Sequence, residues 1–193
     1  MVKRLFLTGP TGVGKSTLLR EILGARLAEA GGFVTAAQFG ACGELTGFAL
    51  SPAASAAGVT GFESERFLDC TRFPPRTDNE VYRTTGVRLL EEAMWYPYAL
   101  LDEIGGFELI IPQFRTALET LLGSDLPVIG ALKTGEEAEA LREALGLGEK
   151  TCAFSRALRQ NLAADPEALV LPVSAPDDDE ARAAIESWVR SWL

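Results

Sequence analysis

Short apolar runs alternate with longer segments of helical periodicity along this chain. Six runs have the length and apolar character of buried strands: residues 3–8, 33–36, 45–50, 98–101, 127–132 and 170–173. Apolar residues at helical spacing predict helices over 14–30, 87–94, 112–122, 136–145, 153–163 and 177–193. Gly31-Gly32 is expected to end the first helix. Residues 63–80 contain Pro74-Pro75 and predict a polar loop.

This alternation of strands and helices predicts a three-layer α/β/α sandwich on a mainly parallel sheet. Residues 38–62 are rich in glycine and alanine and contain one strand-like run, so we expect a small β-hairpin insertion there. The acidic run 177–180 suits the first turn of the last helix, where the helix dipole favours negative charge. A length of 193 residues predicts a single domain over 1–193, with about 38–83 as its insertion of hairpin and loop.

Composition excludes several classes of function. The chain has 18 Lys and Arg against 27 Asp and Glu, and the net charge of -9 argues against a broad nucleic-acid surface. It has no histidine, which excludes His-based catalytic triads and His-ligated metal sites. Cys42, Cys70 and Cys152 are far apart and predict reduced thiols rather than a disulfide framework. Because no apolar run has the length of a membrane span and no signal peptide is indicated, we expect a cytoplasmic protein with no membrane partner.

One motif points to phosphate chemistry. The residues between the first predicted strand and helix fit the pattern GxxxxGK[ST], in which glycines let backbone N–H groups surround a phosphate at a helix N-terminus. Lys15 is expected to contact the β- and γ-phosphates as a catalytic cation, and the Ser16 hydroxyl to bind Mg²⁺. The predicted nucleotide-binding residues are Gly9, Pro10, Thr11, Gly12, Val13, Gly14, Lys15, Ser16 and Thr17.

A second motif places two carboxylates at the end of the buried run 98–101. Asp102 is the expected second ligand of Mg²⁺, together with Ser16. Glu103 follows directly and is predicted to act in catalysis by polarising an attacking water molecule. The same carboxylate could instead deprotonate a substrate hydroxyl, as a kinase requires, so hydrolysis and phosphoryl transfer both remain open.

Other side chains are candidates for supporting roles. We expect one arginine to reach the transferred phosphate, since charge develops there in the transition state. The aromatic residues Phe67, Phe73 and Tyr82 either stack on a base or pack in the core, while Trp188 and Trp192 are expected in the core. The candidate arginines are Arg66, Arg72, Arg76, Arg83, Arg156 and Arg159.

Four segments together resemble the THEP1-type nucleoside-triphosphatase family of P-loop proteins. They are residues 9–19, Gly32-Phe33-Val34-Thr35 with Gly43 and Gly47-Phe48, residues 101–109 with Phe114, and Leu171-Pro172-Val173-Ser174. The resemblance implies a RecA-like core and slow hydrolysis of ATP, GTP and other triphosphates with Mg²⁺. Lys15, Ser16, Asp102 and Glu103 match the positions of the family's functional residues.

Two positions depart from the family pattern. The family usually carries a lysine where this chain has Gly106, so a cationic contact is either missing or supplied from elsewhere. The family also tends to carry Asn-Arg after the last strand, where this chain has Pro176-Asp177-Asp178-Asp179. In RecA-like sheets, the strand beside the Asp-Glu strand often ends in a polar γ-phosphate sensor, which makes Lys133 and Thr134 candidates.

The sequence therefore predicts a Mg²⁺-dependent nucleoside-triphosphatase that hydrolyses ATP or GTP to the diphosphate and phosphate. One alternative is a small P-loop kinase acting on a nucleoside, a nucleotide or an RNA end, with the arginine-containing segment 63–83 as its acceptor site. The other alternative is a nucleotide-binding switch with little turnover, which the glycine at position 106 favours.

Overall fold

The computed structural model describes residues 1–58 and 61–193, and their eight strands form one sheet. The strands are β1 (Arg4–Thr8), β2 (Ala30–Phe39), β3 (Leu45–Pro52), β4 (Glu65–Asp69), β5 (Arg76–Thr77), β6 (Tyr98–Ile104), β7 (Val128–Leu132) and β8 (Ala168–Pro172). Their order across the sheet is β5-β4-β3-β2-β6-β7-β1-β8. The five strands from β2 to β8 in this order are mutually parallel, and β3, β4 and β5 extend the sheet in antiparallel fashion.

Helices cover both faces of the sheet, because successive strand residues point to opposite sides. The helices are α1 (Lys15–Leu23), α2 (Asn79–Val81), α3 (Val87–Glu92), α4 (Pro112–Leu122), α5 (Gly135–Ala144), α6 (Lys150–Ala164) and α7 (Asp179–Trp192). Leu5 and Leu7 pack with α1 and α7 on one face, whereas Phe6 packs with α3, α4 and α6 on the other. The predicted three-layer sandwich on a mainly parallel sheet is thus confirmed.

The prediction of one helix over 14–30 is wrong in its second half. The α-helix ends at Leu23, where Gly24 takes a positive φ of 51°, and residues Gly24–Glu29 form a 3₁₀ turn. Gly31 and Gly32 do not stop a helix but belong to β2, where they pair with β6. A Cβ on Gly31 would lie 2.6 Å from the Cα of Ala93. This glycine therefore permits a close approach between β2 and the turn that follows α3.

The prediction of a polar loop over 63–80 is also wrong, since β4 and β5 lie within these residues. β4 pairs antiparallel with β3 and β5, and its Phe67 and Leu68 are buried while the neighbouring Arg66 is exposed. Together with β3, these strands make the predicted hairpin region a three-stranded extension of the main sheet. The exposed Phe73 follows β4, in the turn before β5.

Several smaller predictions are confirmed. Asp178 caps α7 by accepting a hydrogen bond from the Ala181 N–H. The backbone hydrogen bonds from Ala181 and Ser174 lower the pKa of its carboxyl group. Trp188 is buried on the same helix and its indole N–H donates to the Lys3 carbonyl. Within residues 1–58 and 61–193, none of the helices combines the length and the apolar character that crossing a membrane requires.

Candidate active site

The predicted phosphate loop, residues 9–14, connects β1 to α1 as its motif requires. Gly9 and Gly14 have φ values of 146° and 105°, which L side chains rarely adopt. The segment after β8 also lies against both glycines. A Cβ would be 2.4 Å from the Val173 carbonyl oxygen at Gly9, and 3.0 Å from the Pro176 Cα at Gly14. The loop can therefore keep this backbone path only with glycine at these two positions.

The Lys15 side chain folds back against this loop and bonds to its carbonyl groups. Its side chain is 4% exposed, and its Nζ donates hydrogen bonds to the carbonyl oxygens of Gly9 and Pro10, the second at 3.0 Å. The nearest carboxylate is that of Glu137, 3.8 Å away. The ammonium group thus lies inside the loop.

Ser16 and Asp102 meet although they are 86 residues apart in the chain. The Ser16 Oγ donates to Oδ1 of Asp102 at 2.6 Å, and the Arg20 guanidinium lies 3.3 Å from Oδ2. Asp102 is 2% exposed, and burial raises the pKa of its carboxyl group. The structure therefore brings together the two oxygen donors that the sequence assigned to one metal ion.

Glu103 lies beside this pair in an unusual backbone conformation. Its φ of 66° makes it the one described residue other than glycine with a positive φ. The pairing of β6 with β7 shifts register between Leu101 and Ile104, so the strand bulges at this point. The carboxylate is turned toward the end of β7, where its Oε2 lies 3.0 Å from Nζ of Lys133.

Lys133 also occupies the space beside Gly106. A Cβ on Gly106 would lie 3.3 Å from Cε of Lys133 and 2.9 Å from Oε2 of Glu108. Burial lowers the pKa of the Lys133 ammonium, but the charges of Glu103 and Glu108 outweigh this effect and raise the pKa overall. Lys133 therefore stays protonated beside Glu103, the predicted catalytic residue, and Glu108.

Glu108 is a buried carboxylate that the sequence analysis did not single out. It is 2% exposed and accepts hydrogen bonds from the backbone N–H groups of Gly105 and Gly106, at 2.6 and 2.8 Å. Burial is the largest influence and raises the pKa of the carboxyl group despite these bonds. Glu108 thereby fixes the backbone turn that directly follows β6.

Glu137 is a second residue that the sequence analysis missed. Its carboxylate accepts from the Thr11 hydroxyl at 2.6 Å and from the Thr134 N–H at 2.8 Å. Burial acts to raise the pKa of Glu137, but these two hydrogen bonds lower it overall. Thr134 in turn caps α5, so the spacing Thr134-x-x-Glu137 is a capping box that a sequence search could have found.

Comparison with known proteins identifies the family. A family model described as NTPase matches residues 4–164. The nucleoside-triphosphatase THEP1 of Thermotoga petrophila is 32% identical over 142 residues, which are 69% of this chain and 74% of that protein. The chain belongs to the THEP1 family of nucleoside-triphosphatases. The predictions of this family and of a nucleoside-triphosphatase are confirmed.

A second relative supports this assignment, and a solved structure shares the fold. The nucleoside-triphosphatase THEP1 of Methanosarcina acetivorans is 32% identical over 134 residues, which are 67% of this chain and 75% of that protein. The crystal structure of THEP1 from the hyperthermophile Aquifex aeolicus has a TM-score of 0.61 at 20% identity, covering 95% of this chain and 97% of that one. This structural likeness supports the same α/β fold.

One arginine of this THEP1-family chain approaches the predicted site. Arg159 donates to the Ser155 hydroxyl at 2.6 Å, and Ser155 donates to the Gly105 carbonyl at 2.7 Å. Its guanidinium would lie 3.3 Å from a Cβ on Gly135, at the start of α5. Burial, followed by the nearby Arg156, lowers the pKa of Arg159.

The other candidate arginines lie elsewhere. Arg66 bonds Gln38 on the sheet extension, Arg72 faces Asp69, and Arg83 pairs with Glu80. Arg76 and Arg156 are exposed. Of the aromatic candidates, Phe67 and Tyr82 are buried with their ring centroids 5.0 Å apart, whereas Phe73 is 98% exposed.

Metal binding at this site has to rely on few protein ligands. In the parts of the chain that the structure describes, no group of three or more His, Cys, Asp or Glu side chains is arranged to hold a metal ion. Ser16 and Asp102 provide one hydroxyl and one carboxylate. Nucleotide phosphates complete such a set in P-loop enzymes, which generally use a divalent cation.

Proposed function

We propose that this enzyme hydrolyses ATP and GTP to the diphosphate and phosphate with Mg²⁺. The observation that carries the proposal is the 2.6 Å hydrogen bond between Ser16 and Asp102. It joins the phosphate loop to the carboxylate pair of β6 at a single point. Ser16 directly follows Lys15 of the loop, and Glu103 directly follows Asp102 in β6, which supports the assignment of both motifs to one site.

We assign triphosphate binding to residues Gly9–Thr17. The backbone N–H groups of the loop and the N-terminus of α1 favour an anion there. Lys15 now donates to two loop carbonyls and would exchange these bonds for oxygens of the β- and γ-phosphates. This exchange lets the buried ammonium group move without losing its hydrogen bonds.

The donor set of Ser16 and Asp102 fits Mg²⁺, which prefers hard oxygen ligands and retains water and phosphate in its coordination shell. When bound, Mg²⁺ neutralises charge on the β- and γ-phosphates. To offer Oδ1 to a metal ion, Asp102 must give up the hydrogen bond that it accepts from Ser16. The neighbouring Arg20 guanidinium favours the ionised carboxylate. Burial raises the pKa of Asp102, whereas the Ser16 hydroxyl and the Arg20 guanidinium act to lower it.

Glu103 is proposed as the general base. Its carboxylate takes a proton from the attacking water, whose oxygen forms a bond to the γ-phosphorus as the bond to the β–γ bridging oxygen breaks. Lys133 holds one oxygen of Glu103, so the other is left to face the water. Lys15 stays with the phosphates throughout and offsets the charge that develops there.

We further propose that the whole chain, residues 1–193, works as one domain in the cytoplasm. Strands β3 and β4 of the sheet extension share their apolar core with β6 and α4, which supports a single unit. Cys42, Cys70 and Cys152 are all free thiols, as is usual in a reducing compartment.

The test is phosphate release from ATP and from GTP, with Mg²⁺ and with Mg²⁺ removed by EDTA. Glu103→Gln should lower release about 10²-fold or more while nucleotide binding persists, because only the base is lost. Ser16→Ala should raise the Mg²⁺ concentration required for half-maximal rate. Glu91→Gln, an exposed glutamate on α3, is the matched control and should behave as the parent. Tight nucleotide binding without phosphate release in the parent would contradict hydrolysis and favour a switch.

A further inference from the structure

A cavity of about 370 Å³ adjoins the proposed general base. It lies between the phosphate loop, the ends of β6 and β7, helix α5 and the sheet extension. Its polar side is formed by Thr11, Glu103, Lys133 and Glu137. The volume lies in the range of small-molecule sites. The hydrolysis of a triphosphate, which needs only a water molecule at Glu103, does not account for it.

The remainder of the cavity wall is apolar and largely aromatic. Phe48, Phe67, Tyr82, Phe107 and Leu141 line it. Tyr82 and Phe107 meet edge to face with ring centroids 5.5 Å apart, and Phe67 stacks near Phe48 at 6.5 Å. These rings pack against one another as well as facing the cavity, so the wall is held in place without a ligand.

Charges at the cavity select against an anionic ligand. Glu103, Glu108 and Glu137 provide three carboxylates, whereas Lys133 is the one cationic side chain among the described lining residues. The arginines expected to form an acceptor site in residues 63–83 do not line the cavity. Arg66, for example, bonds Gln38 of β2, and Arg83 pairs with Glu80 of α2. A nucleotide or an RNA end would bring phosphate charge with no arginine among the described lining residues to meet it.

We propose that the cavity binds a small, uncharged alcohol with a ring-sized apolar body, and that its hydroxyl replaces water as the acceptor of the γ-phosphoryl group. This rests on the proposed function, because it uses the same phosphate loop and Glu103. The apolar body would lie against Phe67 and Phe107, and the hydroxyl would face Glu103. The chain would then be a phosphotransferase toward such an alcohol and a hydrolase in its absence.

The transfer step balances without a further reactant. The hydroxyl oxygen forms a bond to the γ-phosphorus, and the bond from that phosphorus to the β–γ bridging oxygen breaks. The bridging oxygen leaves with the nucleoside diphosphate. The hydroxyl proton passes to the carboxylate of Glu103, and the product is a phosphate monoester of the alcohol.

The first experiment uses 2-phenylethanol as the probe and phenylacetate as its anionic counterpart. Each is incubated with the full chain, Mg²⁺ and ATP, and phosphorus NMR follows phosphate and phosphate monoester separately. Saturation-transfer NMR measures binding of each probe without turnover. We expect 2-phenylethanol to bind and form a monoester, and phenylacetate to bind at least about tenfold more weakly because of the three carboxylates.

A pair of variants locates the binding. Ala140 lines the cavity from an exposed position on α5, so Ala140→Trp should fill it and lower monoester formation by about tenfold or more. Ala157→Trp makes the same change at an exposed position on α6 that does not line the cavity, and should match the parent within about twofold.

The outcomes separate the two proposals. Phosphate release without probe binding, or binding without monoester formation, overturns the acceptor site and leaves hydrolysis standing. Equal binding of phenylacetate also overturns the inference, because it contradicts the charge argument. Absence of both phosphate and monoester overturns the proposed function itself. The site is also overturned if Ala140→Trp still forms the monoester and Ala157→Trp does not, because the acceptor then binds elsewhere.

Discussion

Nζ of Lys133 lies 3.0 Å from Oε2 of Glu103, across the ends of two neighbouring strands. Cε of the same lysine is 3.3 Å from the position of a Cβ on Gly106, where the THEP1 family usually has a lysine. This chain therefore has an ammonium group beside position 106, but it comes from the residue after β7 and not from the turn after β6. The glycine at position 106 leaves the space that the Lys133 side chain fills.

The first prediction concerns this ammonium group. Lys133→Gln should lower phosphate release about 10²-fold, since Glu103 loses the charge that orients it and the site loses a cation. Adding Gly106→Lys to Lys133→Ala should recover about tenfold of the lost rate, because the new lysine enters the vacated space. Steady-state phosphate release for the four proteins gives the comparison.

The control is Lys150→Gln, which removes a charge at the exposed start of α6 and should leave the rate unchanged. A Lys133→Gln protein as active as the parent would show that the pair with Glu103 has no part in turnover. Failure of the second-site lysine to restore any rate, in a folded protein, would show that the two positions are not equivalent.

Arg159 gives the second prediction. It reaches the site through Ser155 and Gly105, and lies close to the start of α5. Arg159→Gln should lower kcat by about 10- to 10³-fold with a smaller effect on nucleotide affinity, as expected for a cation that acts in the transition state. Arg72→Gln, on the sheet extension, is the matched control. An unchanged kcat for Arg159→Gln would remove this arginine from the reaction.

The third prediction is a pH dependence of stability. Burial raises the pKa of Glu108 in the folded protein above its unfolded value. The carboxyl group therefore favours the folded state at pH values below its unfolded pKa, and this contribution is lost as the pH rises through the folded pKa. Glu108→Gln keeps a carbonyl oxygen for the Gly105 and Gly106 N–H groups but cannot ionise.

The difference in melting temperature, variant minus parent, should consequently become more positive from pH 5 to pH 8. Thermal unfolding at several pH values in one buffer series measures it. Glu91→Gln, at an exposed position on α3, supplies a reference curve that should stay flat. A difference that is constant with pH would mean that Glu108 does not change its protonation state on folding in this range.

The fourth prediction tests the close approach at β2. Gly31→Ala would place a Cβ 2.6 Å from the Cα of Ala93, and backbone must shift to accommodate it. We expect a loss of about 1–3 kcal/mol in the free energy of unfolding. Gly148→Ala has open space around its Cβ and should cost little. Equal denaturation midpoints for the two variants would show that β2 can move away freely.

The elements that the sequence predicted well are those whose signals are local. The apolar run before the phosphate loop, the run that precedes Asp102, and the acidic run 177–180 at the start of the last helix each carry their information within a few residues. The predicted helix stop at Gly31-Gly32 failed because close contacts with residues far along the chain, Ala93 at Gly31 and Leu100 at Gly32, require these glycines. The strands β4 and β5 were missed because their polar, arginine-containing sequence becomes a strand only through antiparallel partners.

The same distinction applies to the site. The Ser16–Asp102 contact could be anticipated because both residues belong to motifs that meet in P-loop folds. Lys133 was a candidate from its place after a strand, but its contact with Glu103 depends on the bulge in β6. The Thr11–Glu137 contact joins the phosphate loop to α5, and no spacing in the chain encodes it. The aromatic cavity likewise draws on β3, β4, a π-helical turn and a 3₁₀ turn, whose convergence is a property of the tertiary structure.

The two borders of the eight-stranded sheet have a consequence for how these molecules behave in crowded solution. One border is β5, only two residues long, and the other is β8, whose last residue, Pro172, has no backbone N–H to donate. Few backbone N–H and C=O groups at either border are therefore free to pair with a strand from another molecule. Native copies are thereby protected from joining edge to edge into continuous sheets.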